Sequence, residues 1–430
     1  MKFFLHLVLL VFFSQSAVFA QSPPDSGNVK SKSIFKITYD VGFSVADSSV
    51  LVKIFISNSA LIRSLDFNLR DHKLEKIKAS GEWVEKDQRL VWTPPETGTA
   101  WLKYKIKLVN QRENGAYDAK VGEDWALFRG DDIVPPVKSR FTAGATSKSK
   151  IRFNLPKGWH SVNTGWPRLT SEKSKRNAEF KIVKRETRFD RPVGWIIAGD
   201  IGTRRELIGD TWVSVSAPVG EDFRRMDMLT LLHFVWPEMQ KSFRKLPSKV
   251  LLVGAGNPFW RGGLSAPNSL FLHTERPMVS ENGTSTLLHE FVHVITGIRG
   301  QKSHDWIAEG LAEFYSVELL YRAGGISESR RKRVLAELDE WSENVTRLDV
   351  DYSTGPVTAK AALFFFALDD ELKSVSGGKM NIDDLTRQLR NQDKVSAEDI
   401  RKTFVLLTGK KSAVYRKWRK WFAGASSSKE

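Results

Sequence analysis

Residues His289-Glu290-Phe291-Val292-His293 carry the strongest chemical signal in this chain. Two histidines four residues apart lie one turn apart on the same face of an α-helix, so both imidazoles can reach a single metal ion. Glu290 follows the first histidine, where its carboxylate can hydrogen-bond a metal-bound water without binding the metal. Capping residues precede the motif at Thr284 to Thr286, and Gly297 follows as a stop. The segment therefore predicts a metal site on a buried helix.

A second segment supplies the missing ligand. A catalytic zinc ion needs a third protein ligand and an open fourth position. A helix that begins near Asp305 and runs antiparallel to the first would bring Glu309 to the metal, with Glu313 one turn further on. We therefore predict one Zn²⁺ per chain, held by His289, His293 and Glu309. Glu313 is predicted to orient a liganding histidine through its second ring nitrogen, although the spacing alone also allows Glu313 as the ligand.

The N-terminal segment predicts export. Lys2 is followed by an apolar run from Phe3 to Phe13, and a stretch of small residues ends at Val18-Phe19-Ala20. This is the pattern of a secretory signal peptide at residues 1–20, and the run is short for a membrane anchor, which is the alternative. We therefore expect a periplasmic or secreted protein that is soluble after cleavage.

Composition limits the classes of function. The 430 residues include no cysteine, so disulfides, thiol catalysis and cysteine-based metal sites are excluded. A formal charge of +16 would suggest nucleic acid in a cytoplasmic protein, but no nucleic-acid motif is visible and none is expected as a partner. The charge instead favours weak association with anionic envelope surfaces or acidic substrates, or simply a solvated surface.

The hydrophobic pattern divides the chain. Two-residue alternation from Ile34 onward predicts strands, and in the strand at 101–108 the residues Leu102, Tyr104 and Ile106 share one face. Helical patterns take over from about residue 206, and the part after Gly325 is helical throughout. We predict a multidomain α+β fold with the following organisation: a signal peptide at 1–20, a linker at 21–33, an all-β sandwich or saddle at 34–205, an α+β catalytic domain at 206–325 and a helical domain at 326–430.

The last predicted helix, Val414 to Phe422, is basic on one side and aromatic on the other. Such a helix can lie on a membrane surface, but we expect it to pack on the preceding helices. The helix before it is expected at 396–408, with Ser396 as its N-cap and Gly409 as its stop.

The two metal-site segments together resemble a known family. His289-Glu-Phe-Val-His293 followed by Trp306-Ile-Ala-Glu309-Gly310 is similar to the gluzincin aminopeptidases, and most similar to the glycyl aminopeptidase family. The resemblance implies a zinc-dependent peptidase with a β domain, a thermolysin-like catalytic domain and a helical C-terminal domain. It extends from about residue 34 to about residue 425. The family has a longer segment between the second histidine and the glutamate than residues 294–308 here, which we interpret as a shortened loop.

One departure from the family concerns substrate choice. The family has a glutamate that grips the free amine of the substrate, and Ser265 stands at that position, after Gly262 and Gly263. Because a neutral hydroxyl cannot replace a carboxylate as the partner of an ammonium ion, we expect endopeptidase or unusual exopeptidase action. Gly262, Gly263, Ser265 and Asn268 form the predicted substrate-binding set, and an extended peptide substrate is expected along the edge at Ser269–His273.

A second departure concerns the oxyanion. The family places a tyrosine where this chain has Thr358, and Tyr352 is our candidate replacement as a catalytic residue, against the alternative of a plain surface residue. Losing one oxyanion donor costs about 100- to 1000-fold in rate, so activity would survive. The competing hypothesis is a catalytically impaired pseudo-peptidase that binds peptides or partner proteins in the cell envelope. Other candidate donors are Tyr315, Tyr321, His273 and His304.

Overall fold

The computed structural model describes residues 33–170, 177–183 and 189–422. The predicted signal peptide at 1–20 and the predicted linker, apart from its last residue, lie outside the described residues, and both stay predictions. No helix in the described part is both long and apolar enough to cross a bilayer.

Strands make up most of the first half of the chain, with one short helix, α1 (Gly130–Ile133). Alternation of buried and accessible positions along strands such as β7, where Leu102, Tyr104 and Ile106 are buried, gives the sheets an apolar inner face. The strands are β1 (Ile34–Ser44), β2 (Ser49–Ser57), β3 (Ile62–Asn68), β4 (Leu74–Ala79), β5 (Glu82–Lys86), β6 (Arg89–Thr93), β7 (Thr99–Lys107), β8 (Val109–Gln111), β9 (Tyr117–Val121), β10 (Trp125–Arg129), β11 (Val137–Phe141), β12 (Thr146–Asn154), β13 (Ser161–Thr164), β14 (Asn177–Ile182) and β15 (Trp195–Gly199).

These strands form three sheets around a shared core. The first sheet has the order β14-β12-β1-β2-β7-β4, the second β11-β3-β6-β5 and the third β13-β15-β10-β9-β8. Large side chains such as Phe35, Trp92, Tyr104 and Phe153 are almost completely buried in the core between them. The predicted all-β N-terminal part is confirmed.

The second half combines a mixed sheet with helices. Its sheet has the order β16-β17-β18-β20-β19, in which β17, β18 and β20 are parallel and the two outer strands are antiparallel to their neighbours. The elements are β16 (Ile201–Ile208), β17 (Thr211–Pro218), α2 (Arg225–Phe243), β18 (Lys249–Ala255), β19 (Gly263–Ala266), β20 (Ser269–His273), α3 (Thr286–Thr296), α4 (Trp306–Arg322), α5 (Glu328–Trp341), α6 (Pro356–Ser376), α7 (Ile382–Leu389), α8 (Ala397–Thr408) and α9 (Ala413–Phe422).

One expectation about this sheet is wrong. Strand β20, at Ser269–His273, is buried between β18 and β19 and offers no free edge. The turn at Pro267-Asn268 folds the glycine-containing segment back onto β20, so that β19 becomes the edge strand. Periodicity alone does not predict this strand, because Gly262 precedes it and Gly263 begins it, and glycine does not match a strand pattern.

Helices α3 and α4 pack against each other, and α4 also packs against α6. Ser285 caps α3 by accepting the backbone N–H of Leu288, and Gly297 ends the helix with a left-handed φ of 60°. Gly310 lets α4 approach α6 closely, since a Cβ at this position would lie 2.7 Å from the Cβ of Ala361. Close packing of the two helices fixes where the acidic side chains of α4 point.

The basic helix α9 packs on the core, as expected. Phe422 is buried and stacks on Trp306 with ring centroids 4.9 Å apart and an interplanar angle of 4°. Trp418 lies against Phe364, 5.6 Å between centroids. The predicted caps of the helix before it are also confirmed: Ser396 and Gly409 flank α8. Hydrophobic contact with α4 and α6 is therefore the role of the aromatic side of α9.

An apolar contact joins the two halves of the chain. Trp195 and Ile197 of β15 pack with Val253 of β18 and Phe271 of β20, and the rings of Trp195 and Phe271 are 5.2 Å apart. The β-rich part is thus in direct contact with the sheet that precedes the metal-site helices. The domain boundaries themselves stay predictions.

Phe422→Ala should lower the free energy of unfolding by about 3 kcal/mol, because it removes a buried ring and leaves a cavity next to Trp306. Urea unfolding followed by far-UV circular dichroism measures the change. Trp341→Ala removes a side chain that is 58% exposed and serves as the control, with an expected change close to zero. A loss for Phe422→Ala no larger than the control would contradict the packing role of α9.

Candidate metal centre

Side chains from two helices converge on one point. His289 and His293 extend from α3 and Glu309 extends from the first turn of α4. The two histidine Nε2 atoms are 3.2 Å apart, and the Glu309 carboxylate oxygens lie 3.2 Å from His289 Nε2 and 3.3 Å from His293 Nε2. The structure thus brings together the three predicted ligands, all partly buried, within a single cluster.

This cluster fits a tetrahedral zinc ion. Ligand atoms about 2.0–2.1 Å from such an ion lie roughly 3.3–3.4 Å from one another, close to the separations found here. Two imidazole nitrogens and a carboxylate oxygen are also the donor types of catalytic zinc sites. The assignment of Zn²⁺ to these residues nevertheless stays a prediction.

Glu313 fixes the orientation of His289. Its Oε2 lies 2.9 Å from His289 Nδ1, so Nδ1 donates to Glu313 and the Nε2 lone pair of the neutral ring points at the cluster. Glu309 lies on the other side of the same ring. Of the two acids on α4, Glu309 is therefore the one placed as a ligand, and Glu313 has the orienting position.

The charged groups of the cluster strongly shift one another's pKa values. Burial opposes ionisation of Glu309, but hydrogen bonds from His289 and His293 outweigh it and hold the pKa of this carboxyl well below its usual range. Burial likewise lowers the pKa of His289, yet the hydrogen bonds to Glu309 and Glu313 raise it well above the usual value for histidine. Protons and a cation therefore compete for the same nitrogen atoms, and metal binding must weaken as the pH falls.

Glu290 is buried next to strand β19. Its side chain is close to Gly263, where a Cβ would lie only 2.8 Å from Glu290 Oε1, and the Ser265 hydroxyl acts to lower its pKa. Burial raises the pKa of Glu290, while the charges of His289 and His293 oppose that shift. A carboxyl group with a raised pKa next to the ligand cluster has the properties of a general base.

The glycines of the predicted substrate set have steric roles. A Cβ on Gly263 would contact Glu290 and a Cβ on Gly262 would contact the Trp260 indole, 2.2 Å from its Nε1. Trp195, on β15, donates from its indole Nε1 to the carbonyl of Leu264 at 2.9 Å. The β-rich half of the chain therefore positions β19, a role for Trp195 that no local sequence signal indicated.

The remaining predicted site residues lie further from Glu290. Asn268 occupies the β19–β20 turn with φ of 54°, and its carbonyl accepts the backbone N–H of Leu251. Tyr352 lies between α5 and α6, and its side chain is 85% exposed. The next residue, Ser353, donates its backbone N–H to Asp305 Oδ2 at 2.9 Å, which ties this segment to the start of α4. The functional roles of Asn268 and Tyr352 stay predictions.

Of the other candidate oxyanion donors, Tyr315 is occupied elsewhere. Its buried hydroxyl is 3.0 Å from Asp383 Oδ1 and 3.1 Å from Thr386 Oγ1. His273 is 1% exposed; its Nδ1 accepts the backbone N–H of Glu275, and its Nε2 has no hydrogen-bond partner within the described residues. The Nε2–H group of His273 is therefore available as a hydrogen-bond donor, whereas the Tyr315 hydroxyl is already bonded.

No protein-family model and no curated protein sequence matches this chain. Solved structures do. An aminopeptidase N family protein from Idiomarina loihiensis matches with a TM-score of 0.64 at 14% identity, over 83% of this chain and 70% of the other. Yeast LTA4 hydrolase in complex with bestatin matches with a TM-score of 0.57 at 14% sequence identity, over 90% of this chain and 67% of the other. Native leukotriene A4 hydrolase from Saccharomyces cerevisiae matches with a TM-score of 0.57 at 15% sequence identity, over 90% of this chain and 68% of the other. At such identities the likeness is one of fold, and it confirms the predicted multidomain architecture.

Glu313→Ala should weaken zinc binding about 10- to 100-fold, because His289 loses the acceptor that fixes its tautomer and orientation. Competition with a chromogenic chelator measures the affinity. Glu343→Ala removes an exposed acid elsewhere and serves as the charge-matched control. Equal zinc affinities for both variants would contradict the orienting role of Glu313.

Proposed function

We propose that this protein is an exported zinc-dependent peptidase. The observation that carries the proposal is the convergence of His289, His293 and Glu309 at separations that suit a tetrahedral ion, with Glu290 buried beside them. Zn²⁺, when bound there, would polarise the scissile carbonyl and make a bound water more acidic.

Glu290 is proposed as the general base. Its raised pKa lies closer to neutrality than that of an ordinary carboxyl, which suits a group that must take a proton and later release it. In this role Glu290 accepts the proton of the attacking water and delivers it to the leaving amine. The Ser265 hydroxyl acts to lower the pKa of Glu290 and so favours its ionised form, and Gly263 leaves the room that the Glu290 side chain needs.

The substrate is proposed to be a peptide or partly unfolded protein that pairs with β19. This strand is the edge of its sheet and lies next to Glu290, so an extended chain added to it would run past the proposed base. Ser265 offers no negative charge to a substrate amine, which favours endopeptidase or unusual exopeptidase cleavage. The signal-peptide pattern at residues 1–20 supports a periplasmic or secreted location.

Glu290→Gln should lower the rate of peptide hydrolysis about 1000-fold and leave one zinc per chain, because the base is lost while the ligands are intact. Cleavage of a mixed peptide library, read by mass spectrometry, gives the rate and the cut positions, and atomic absorption gives the zinc content. Glu343→Gln is the control and should retain full activity.

The same experiment separates the peptidase from its alternative. Zinc bound without cleavage by the wild type would replace the peptidase proposal with the pseudo-peptidase, a peptide-binding protein whose chemistry is impaired. The exposure of Tyr352 is the observation that favours this alternative, since little of the protein surrounds the side chain proposed in place of the family tyrosine. A chain that binds no zinc would overturn both.

Ser265→Glu should create a preference for substrates with a free α-amine. A carboxylate at this position can form a charge-assisted hydrogen bond with an ammonium group, so the ratio of kcat/KM for a free peptide over its N-acetylated form should rise about 10- to 100-fold. Ser265→Gln adds a side chain of the same size without charge and should leave the ratio unchanged. A rise in both variants, or in neither, would contradict the assignment of Ser265 to the amine-binding position.

A further inference from the structure

The outer face of the six-stranded sheet is unusually basic. Across paired strands, lysine lies directly beside lysine: Lys53 pairs with Lys103, Lys103 with Lys78, and Lys36 with Lys148. Like charges placed directly opposite each other destabilise a sheet. We call this surface the lysine face. Its outward cations are Lys36, Lys53, Lys78, Lys103, Lys105, Lys107, Lys148, Lys150, Arg152 and Lys181.

Acids on the same face neutralise only a small part of this charge. Ten outward cations face three outward acids, Asp40, Glu75 and Glu179, a surplus of seven on one side of one sheet. Glu179 pairs with Lys150 and Arg152, and Asp47 from the adjoining turn pairs with Lys105. Most lysines of the face, including Lys36, Lys78 and Lys103, form no ion pair with any residue in the described ranges. A large share of the chain's +16 charge is thus presented in one direction.

The lysine face contains a cavity suited to an anion. The cavity has a volume of about 330 Å³, and four lysines surround it. A bulge in β4, where Lys76 has φ of 54°, turns Lys76 towards the same cavity as Lys78. Leu51 lies beside the lysines and is 41% exposed. The lining residues are Ser44, Ser49, Leu51, Lys76, Lys78, Lys103 and Lys105.

Apolar side chains lie among the cations. Phe55 and Trp101 are directly paired across β2 and β7, and the Lys53 ammonium lies 4.3 Å from the Phe55 ring and 5.6 Å from the Trp101 ring. Leu51 also faces outward on β2, separated from Phe55 by Lys53, so apolar and cationic side chains alternate along this strand. This surface suits the boundary between lipid headgroups and acyl chains. Its apolar side chains and the methylene stems of its lysines can contact the acyl chains, while the ammonium groups contact the headgroups.

We propose that the lysine face binds the surface of an anionic phospholipid bilayer, and that the cavity lined by Lys76, Lys78 and Lys103 takes a headgroup phosphate. Nine of the ten outward cations are lysines, which act as point charges for phosphate, and the planar stacking and forked hydrogen bonds of arginine that favour nucleic-acid bases are nearly absent. Strands of about nine residues and six strands in width give a face of roughly 30 by 25 Å, the size of several headgroups.

The test compares two variants with equal net charge. Lys76→Gln/Lys78→Gln/Lys103→Gln removes three lysines from the cavity, and Lys394→Gln/Lys402→Gln/Lys411→Gln removes three exposed lysines from the helical region. Sedimentation with vesicles of phosphatidylglycerol and phosphatidylcholine, and with vesicles of phosphatidylcholine alone, gives the partition coefficients. All proteins are compared in the same mature form, without residues 1–20, which the sequence predicts to be removed on export.

The wild type should bind the anionic vesicles and largely ignore the neutral ones, with binding that weakens from 50 mM to 500 mM salt, concentrations set by the experimenter to span about 14 to 4 Å of screening length. The cavity variant should bind the anionic vesicles roughly 100-fold less tightly, since each lysine near such a surface contributes roughly five-fold. The helical variant should stay within about two-fold of the wild type.

Other results would overturn the proposal. Equal losses in both variants would mean that net charge alone attracts the protein to the vesicles. Cavity-dependent binding to single-stranded DNA, with no binding of the wild type to anionic vesicles, would assign the face to a polyanion in place of a bilayer.

Circular dichroism spectra show whether the cavity variant folds like the wild type. If the spectra differ, the single variant Lys103→Gln replaces it, and a roughly five-fold loss of binding to anionic vesicles is expected for this variant.

Discussion

The rest of the candidate site depends on the antiparallel approach of α3 and α4. The two histidines on α3 supply two ligand atoms, and the third ligand of a catalytic zinc site has to come from another part of the chain, here the acid on α4. Glu309 does so because Gly310 lets α4 pack closely on α6, and because buried residues of the same helix, such as Trp306 and Phe314, hold α4 in the core. The same approach delivers Glu313 to the outer nitrogen of His289. A single helix pair therefore determines ligand position and ligand orientation together.

The β-rich half takes part in the site although it contributes no ligand. Its strand β15 packs against β18 and β20 and holds β19 through the bond from Trp195 to the Leu264 carbonyl. Strand β19 in turn lies against Glu290, with Gly263 leaving space for the carboxylate. Glu290, the edge strand β19 and the helices α3 and α4 are thus supported from both halves of the chain, and we expect a change at the contact between the halves to affect Glu290.

The six-stranded sheet uses its two faces differently. Its inner face is apolar and carries the core of the β-rich half, whereas its outer face carries more cations than acids among the described residues of its strands. Alternation along each strand makes this separation automatic, since every second residue points outward. The apolar inner face therefore stabilises the fold, and the outer face can carry charge without disturbing the core.

Local sequence determined much of this protein. Periodicity gave the strand at Ser269–His273, the helices around the metal motif and the caps Ser396 and Gly409, because these depend on residues close together in the chain. The four-residue spacing of His289 and His293 likewise required no tertiary information. Family resemblance added the expected order of β and helical parts, which the fold confirms.

Tertiary structure decided what depends on distant residues. The choice between Glu309 and Glu313 as the acid that faces both histidines required the crossing of two helices, and the edge position of β19 required the pairing of strands separated in sequence. The support from Trp195, the exposure of Tyr352 and the gathering of lysines into one face followed from sheet register and packing. Local patterns specify which way a side chain points within its own element, whereas its neighbours are set by contacts that only the folded chain makes.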